Sequence, residues 1–233
     1  MSYLILLTAL LPIVILVYYI YHKDKKLPEP TGQLVKAFLF GILSVPVSFC
    51  ISIPLGLIGI YPVEATNILG SISTAFFGAA IPEEIAKFFM LWLLLRKNRY
   101  FDEKMDGIVY AVCVSLGFAA LENIMYLFSN AETFLSVGIA RAIFAVPGHF
   151  CFGILMGYYY SLAKFYPKTP KRNKALILIA PILVHGVYDS ILFIINVTPA
   201  ISGILLIVFL VFCHKMWKYG SNRIQEHLKR DHC

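Results

Sequence analysis

Charge is scarce in this 233-residue chain. Asp, Glu, Lys and Arg make up 14% of it, whereas soluble domains carry roughly 25%; 59% is hydrophobic and the mean hydropathy is +0.77. That shortage excludes an ordinary soluble domain and reads as an integral membrane protein. No ten-residue alternation of apolar and polar residues recurs, which excludes a transmembrane β-barrel. No basic residue precedes the first apolar run and no small-x-small cleavage site follows it before Lys23, so that run reads as an uncleaved anchor and not a signal peptide. The five cysteines, Cys50, Cys113, Cys151, Cys213 and Cys233, include no close pair and read as packing residues, neither disulfides nor metal ligands. There is no internal repeat, no low-complexity tract and no nucleic-acid motif.

What the chain has in abundance is apolar length. Runs near 2–21, 34–57, 68–95, 107–128, 134–163, 175–195 and 199–217 are each long enough to cross a hydrocarbon core of ~30 Å, which takes about 20 helical residues. Helices satisfy their own backbone groups in lipid, so the expected fold is all-α, a polytopic membrane bundle of about seven transmembrane helices. Of the 20 Lys and Arg residues, 18 fall around the connections after the first, third and fifth spans or in the tail, and the alternate connections near 58–67, 129–133 and 196–198 hold none. The positive-inside rule then places the N-terminus outside and the C-terminus in the cytoplasm. The net charge of +7 becomes a topology signal, with anionic membrane lipid as its counterpart and no nucleic acid. The chain reads as one domain over 1–233, with short solvated loops at 23–33 and 166–174 and a cytoplasmic tail over 218–233.

Two basic residues escape that count, Lys87 and Arg141. With Glu83, Glu84, Glu122 and Asp189 they make six ionisable residues inside predicted spans, joined by His149 and His185. At about 2.5 to 3.5 kcal/mol each, six isolated charges would oppose insertion by roughly 18 kcal/mol, so they must pair or surround water. The inferred topology sets them in one layer between the membrane centre and its external face. His185 and Asp189, Phe118 and Glu122, and Glu83 and Lys87 are each four residues apart and share a helix face. Pro82, after Gly78-Ala79-Ala80, is expected to open a second helical segment of the third span, with Glu83 and Glu84 in a first turn that favours anions.

Adjacent carboxylates beside an ammonium and two imidazoles suit general acid–base hydrolysis: one carboxylate draws a proton from water, a partner returns one to the leaving amine, and imidazole or Asn steadies the oxyanion. A duller reading of Glu83 and Lys87 is a structural ion pair. Arg141 has no assignable partner and reads as structural or headgroup-anchoring. Gly153 and Gly157 form GxxxG, read here as close internal packing.

The motifs carry a resemblance. Glu83-Glu84-Ile85-Ala86-Lys87 is EExxK, Phe118 to Asn123 is FxxxEN, His149 stands alone in the fifth span, and His185 to Asp189 is HxxxD. In this order, over about 24–195, they resemble the PrsW family of intramembrane proteases, itself similar to the CAAX-protease and bacteriocin-processing group. Asp24 to Pro30 resembles that family's acidic, proline-containing loop. The resemblance implies a glutamate-dependent peptidase of the bacterial cell membrane that makes the first cut in a single-span anti-sigma factor, starting regulated proteolysis that frees a sigma factor. It implies Glu83, Glu84, Glu122, His149, His185 and Asp189 as catalytic, Lys87 and Asn123 as supporting, and no cofactor. Two alternatives remain open. Glu, His and Asp at one depth suit a zinc-dependent protease, although HExxH is absent; buried acids with a broken helix suit an ion- or proton-coupled transporter, although two related halves are not found.

Overall fold

The computed structural model describes residues 2–24, 28–166 and 170–231. Lys25, Lys26, Leu27, Lys168 and Cys233 lie outside the described residues. Among the described residues nine α-helices follow one another: α1 (Ser2–Lys23), α2 (Thr31–Leu57), α3 (Ile68–Ser73), α4 (Ile81–Leu95), α5 (Lys104–Ser129), α6 (Phe134–Ala140), α7 (Val146–Phe165), α8 (Pro170–Val197) and α9 (Ser202–Asp231). Two π-helical stretches, Thr74–Ala80 and Arg141–Ala145, join α3 to α4 and α6 to α7 without a break. No strand occurs among the described residues.

Six of these helical columns are long and apolar enough to cross a membrane. The seventh predicted crossing, 68–95, is helical throughout, but it changes register in the middle and carries Glu83, Glu84 and Lys87. The bundle is therefore an all-α assembly of seven columns, built on a polytopic membrane plan.

α5 is its axis. Seventy-eight per cent of the apolar window of α5 is buried, against 6% of that of α9. The cause is its run of small residues, which lets neighbours approach backbone to backbone. A Cβ on Gly117 would overlap the backbone of Phe38 on α2, and one on Gly157 of α7 would overlap the carbonyl of Gly107. The GxxxG pair Gly153 and Gly157 thus packs internally against α5, as the sequence suggests.

The basic connections gather at one end of the bundle. Lys104 at the start of α5 binds the carboxylate of Asp231 at the end of α9 (3.0 Å), and Lys164 near the end of α7 donates to the carbonyl of Phe101. The segment expected as a cytoplasmic tail is helical to Asp231 and docked, because the backbone N–H of Met105 also donates to Asp231 (2.9 Å). The loop after α1, expected to be solvated, exposes Pro28 and Pro30 but buries Asp24 and Glu29, and Glu29 accepts the hydroxyl of Tyr110.

Candidate active site

Two prolines set the backbone of the site. Proline has no N–H to donate and its ring crowds the carbonyl four residues back. Ahead of Pro82 and Pro147 the chain widens: the N–H of Ile81 reaches the carbonyl of Phe76, and that of Val146 reaches Arg141, each five residues back. Such π turns relieve the clash without unwinding the helix, and they often accompany functional sites. Glu83 and Glu84 follow the first proline directly, and His149 follows the second by two residues. Pro82 does begin α4 with both glutamates in its first turn. The preceding residues are not unwound, however, so Lys87 one turn further along α4 and side chains from other helices, and not an open helix end, compensate the carboxylates.

Lys87 is the hub. Its ammonium, 1% exposed, lies 2.8 Å from Glu84 Oε1 and 3.2 Å from Glu83 Oε2 on its own helix, 3.2 Å from His149 Nδ1 on α7, and 4.1 Å from the centre of the Phe118 ring on α5. An ammonium has only hydrogens to offer, so His149 Nδ1 accepts. His149 Nε2 then carries the ring hydrogen and donates to Glu122 Oε2 (2.9 Å). The imidazole becomes a relay between the ammonium and a carboxylate.

His185 has a different surrounding. Its Nδ1 lies 2.9 Å from Glu84 Oε1 and its Nε2 3.2 Å from Asp189 Oδ2, with Glu83 Oε2 at 4.0 Å. A ring flanked by carboxylates at both nitrogens donates twice, or shares a proton with one neighbour. Phe152 stacks on it at 4.4 Å between centroids, which fixes the ring plane. Gly186 is required next door, since any Cβ there would enter the ring of Phe76, which lies in the π stretch. α8 and the first π turn are thereby locked together where His185 meets Glu84.

Glu122, Asn123 and Arg141 form the outer part. Arg141 donates through Nη2 to Glu122 Oε2 (2.7 Å) and through Nε to Asn123 Oδ1 (2.6 Å), while Asn123 Nδ2 donates to the carbonyl of Ala9 on α1 (3.1 Å). Both ends of Asn123 are engaged, which makes it a strut that holds the guanidinium. Arg141 is the residue that the sequence reading left without a partner. A signal was available: Glu122 lies seven residues before the last residue of α5 and Arg141 seven after the first of α6, so in a helical hairpin the two share one depth.

All eight sequence-predicted residues therefore come together, and Arg141 joins them. Burial grades across the group. Glu84 is wholly buried, His149 and His185 nearly so, and the side chains of Glu83, Asp189 and Glu122 keep 14%, 16% and 20% of their surface exposed. Four carboxylates face one ammonium and one guanidinium, an excess of two negative charges that the histidines or a cation must meet. The donor atoms of Glu83, Glu84 and His185 all lie within 4.8 Å of one another, and Glu84 Oε2 is buried with no hydrogen-bond partner among the described residues. Two carboxylates and an imidazole whose far nitrogen rests on Asp189 match the donor set and outer support of a catalytic zinc site.

With this geometry, the comparisons with known proteins fall into place. Residues 29–214 match the family described as PrsW family intramembrane metalloprotease. The chain belongs to the PrsW family of intramembrane proteases. It is 37% identical over 225 residues to a protein named Protease PrsW from Clostridioides difficile, covering 95% of this chain and 90% of that one. It is 39% identical over 183 residues to one from Geobacillus kaustophilus, covering 78% and 76%, and 32% identical over 227 residues to one from Bacillus subtilis, covering 95% and 94%. No solved structure matches the chain. Membership of the PrsW family, with six candidate crossings, makes this a multi-pass peptidase of a bacterial membrane.

Proposed function

We propose that this peptidase cuts a single-span membrane protein of the anti-sigma-factor class, with Glu83 as the base that activates water. The observation that carries the assignment is the unequal setting of the paired glutamates. Glu84 Oε1 is held by both Lys87 and His185 and its side chain is fully buried, whereas Glu83 is bound through Lys87 alone at hydrogen-bond distance and keeps an exposed edge. Glu83 takes a proton from water, the resulting hydroxide attacks the scissile carbonyl, and the proton passes to the leaving amine. Lys87, itself anchored by Glu84, holds Glu83 in place. The His149–Glu122–Arg141 chain lies on the other side of Lys87, and with both ring nitrogens of His149 engaged it holds the ammonium in place.

A second reading is favoured by the convergence of Glu83, Glu84 and His185 and by the family description as a metalloprotease. These three residues would hold a divalent ion, which when bound supplies Lewis-acid polarisation of water and carbonyl. In that case Glu83 and Glu84 bind and orient, Asp189 fixes the His185 ring, and Lys87 limits the charge excess.

The test is cleavage by purified protein in liposomes, with single-span membrane proteins as candidate substrates. Glu83→Gln is expected to abolish the cut with the protein still folded; a fully active Glu83→Gln enzyme would remove the assignment of the base. Loss of cleavage on chelation with return on adding zinc selects the metal reading, and cleavage that resists chelation selects the metal-free one.

A further inference from the structure

Far from the hydrolytic cluster, where the loop after α1 meets the start of α5 and the end of α9, a second group of carboxyls is buried. Asp24 and Asp106 are 4% and 1% exposed, and one ligand oxygen from each of Asp24, Glu103 and Asp106 lies within 4.8 Å of the others. Helix capping accounts for part of this. Asp106 Oδ2 accepts from the N–H groups of Asp102 (3.0 Å) and Glu103 (2.6 Å), and Glu103 caps the first turn of α5 in return.

Capping does not account for Asp24. Its Oδ2 is buried and has no hydrogen-bond partner among the described residues. The nearby ammonium of Lys104 is engaged by Asp231 Oδ1 (3.0 Å) and the carbonyl of Arg230 (2.9 Å). Among the described residues, no Lys or Arg is ion-paired with Asp24 or Asp106. The other Asp24 oxygen accepts from the backbone of Glu29, but a carboxylate oxygen buried without a partner is disfavoured, and a counter-ion would relieve it.

We propose that Asp24, Glu103 and Asp106 form a site for a hard divalent cation, Mg2+ or Ca2+, that ties the loop after α1 to the N-terminus of α5. The donors are all oxygens, the set that such ions prefer, in contrast to the imidazole-containing group around His185. Three carboxylates leave positions for water and backbone oxygens, as these ions require. The site is independent of the proposed hydrolysis.

Mn2+ serves as the probe, counted by electron paramagnetic resonance on the purified full chain after removal of bound metal. Wild type is expected to bind one more Mn2+ per chain than Asp24→Asn, whatever the hydrolytic cluster holds, and excess Mg2+ or Ca2+ should displace that ion. Adding Mg2+ to chelated protein should raise the unfolding temperature of wild type and leave Asp24→Asn unmoved. Asp106 also caps α5, so Asp24→Asn is the variant that removes a ligand and keeps the helix start. Equal Mn2+ counts in the two proteins, or no binding by wild type at millimolar Mn2+, would overturn the proposal.

Discussion

Two groups of buried carboxylates sit in this molecule, and they are neutralised differently. Around Glu83 and Glu84, cations and imidazoles arrive from three helical columns: Lys87 on α4, His185 on α8, and both Arg141 and His149 on the continuous column of α6 and α7. Around Asp24 and Asp106 there are backbone N–H groups and more carboxylates, and among the described residues no Lys or Arg is ion-paired with either of the two, Lys104 being paired with Asp231. The first arrangement is built into the fold, because fixed side chains hold the charge. The second leaves the charge to something exchangeable. Lipid tolerates buried acids only when one of these solutions is present.

The widest separation between the two groups should be catalytic. Glu83→Gln is expected to lower cleavage by about 10³-fold, within the range for loss of a general base, while Asp24→Asn in excess Mg2+ should stay within a few-fold of wild type; both are read from the initial rate of substrate cutting in liposomes. Next comes stability. Lys87→Met leaves two glutamates buried beside each other and should cost about 3 to 5 kcal/mol, measured by denaturant unfolding in detergent. Gly186→Ala drives a methyl group into Phe76 and should cost about 1 to 3 kcal/mol with a loss of activity, since it displaces the π turn that precedes Glu83. Arg141→Gln should cost about 1.5 to 3 kcal/mol, the range for a hydrogen bond to a charged group, and slow cleavage less than Glu83→Gln does.

The smallest effect is one of pH on chelated protein. The folded state raises the Asp24 carboxyl from 3.8 to about 7, so between those values the folded chain holds a proton that the unfolded chain has released. Stability contributed by Asp24 therefore falls as pH rises from about 4 to about 7. Mg2+ should flatten that slope in wild type, and Asp24→Asn should reduce it in either condition, leaving the part that the neighbouring carboxyls contribute, Glu29 among them, which burial also raises. A slope unchanged by Asp24→Asn would break the contrast between the two groups.

Much of the intramembrane group was legible in advance because a charge in a hydrophobic run stands out against its neighbours. Glu83, Glu84, Lys87, Glu122, His149, His185 and Asp189 were each visible in that way, and the spacing of His185 to Asp189 and Glu83 to Lys87 fixed two of the contacts. Arg141 stood out equally but lacked a partner until the hairpin of α5 and α6 set its depth against Glu122. The acidic group was not legible as buried, since Asp24 and Glu29 occur among prolines and lysines in a stretch that reads as solvated loop, and nothing in the sequence set Glu103 beside them. The docked end of α9 was missed for the same reason: its residues are polar, and its place depends on Asp231 meeting the first N–H groups of α5.

By itself the sequence determined the solvent, the helical class, the number of columns and the residues that must find partners, because hydropathy and helical period are properties of neighbouring residues. Which partners they found was decided by the tertiary structure. The rotation and depth of each helix follow from close contacts such as Gly117 on Phe38 and Gly186 on Phe76, and from π turns whose register answers to a proline and to the helix packed against it. Those are relations between distant segments, and they turned eight scattered polar residues into one site.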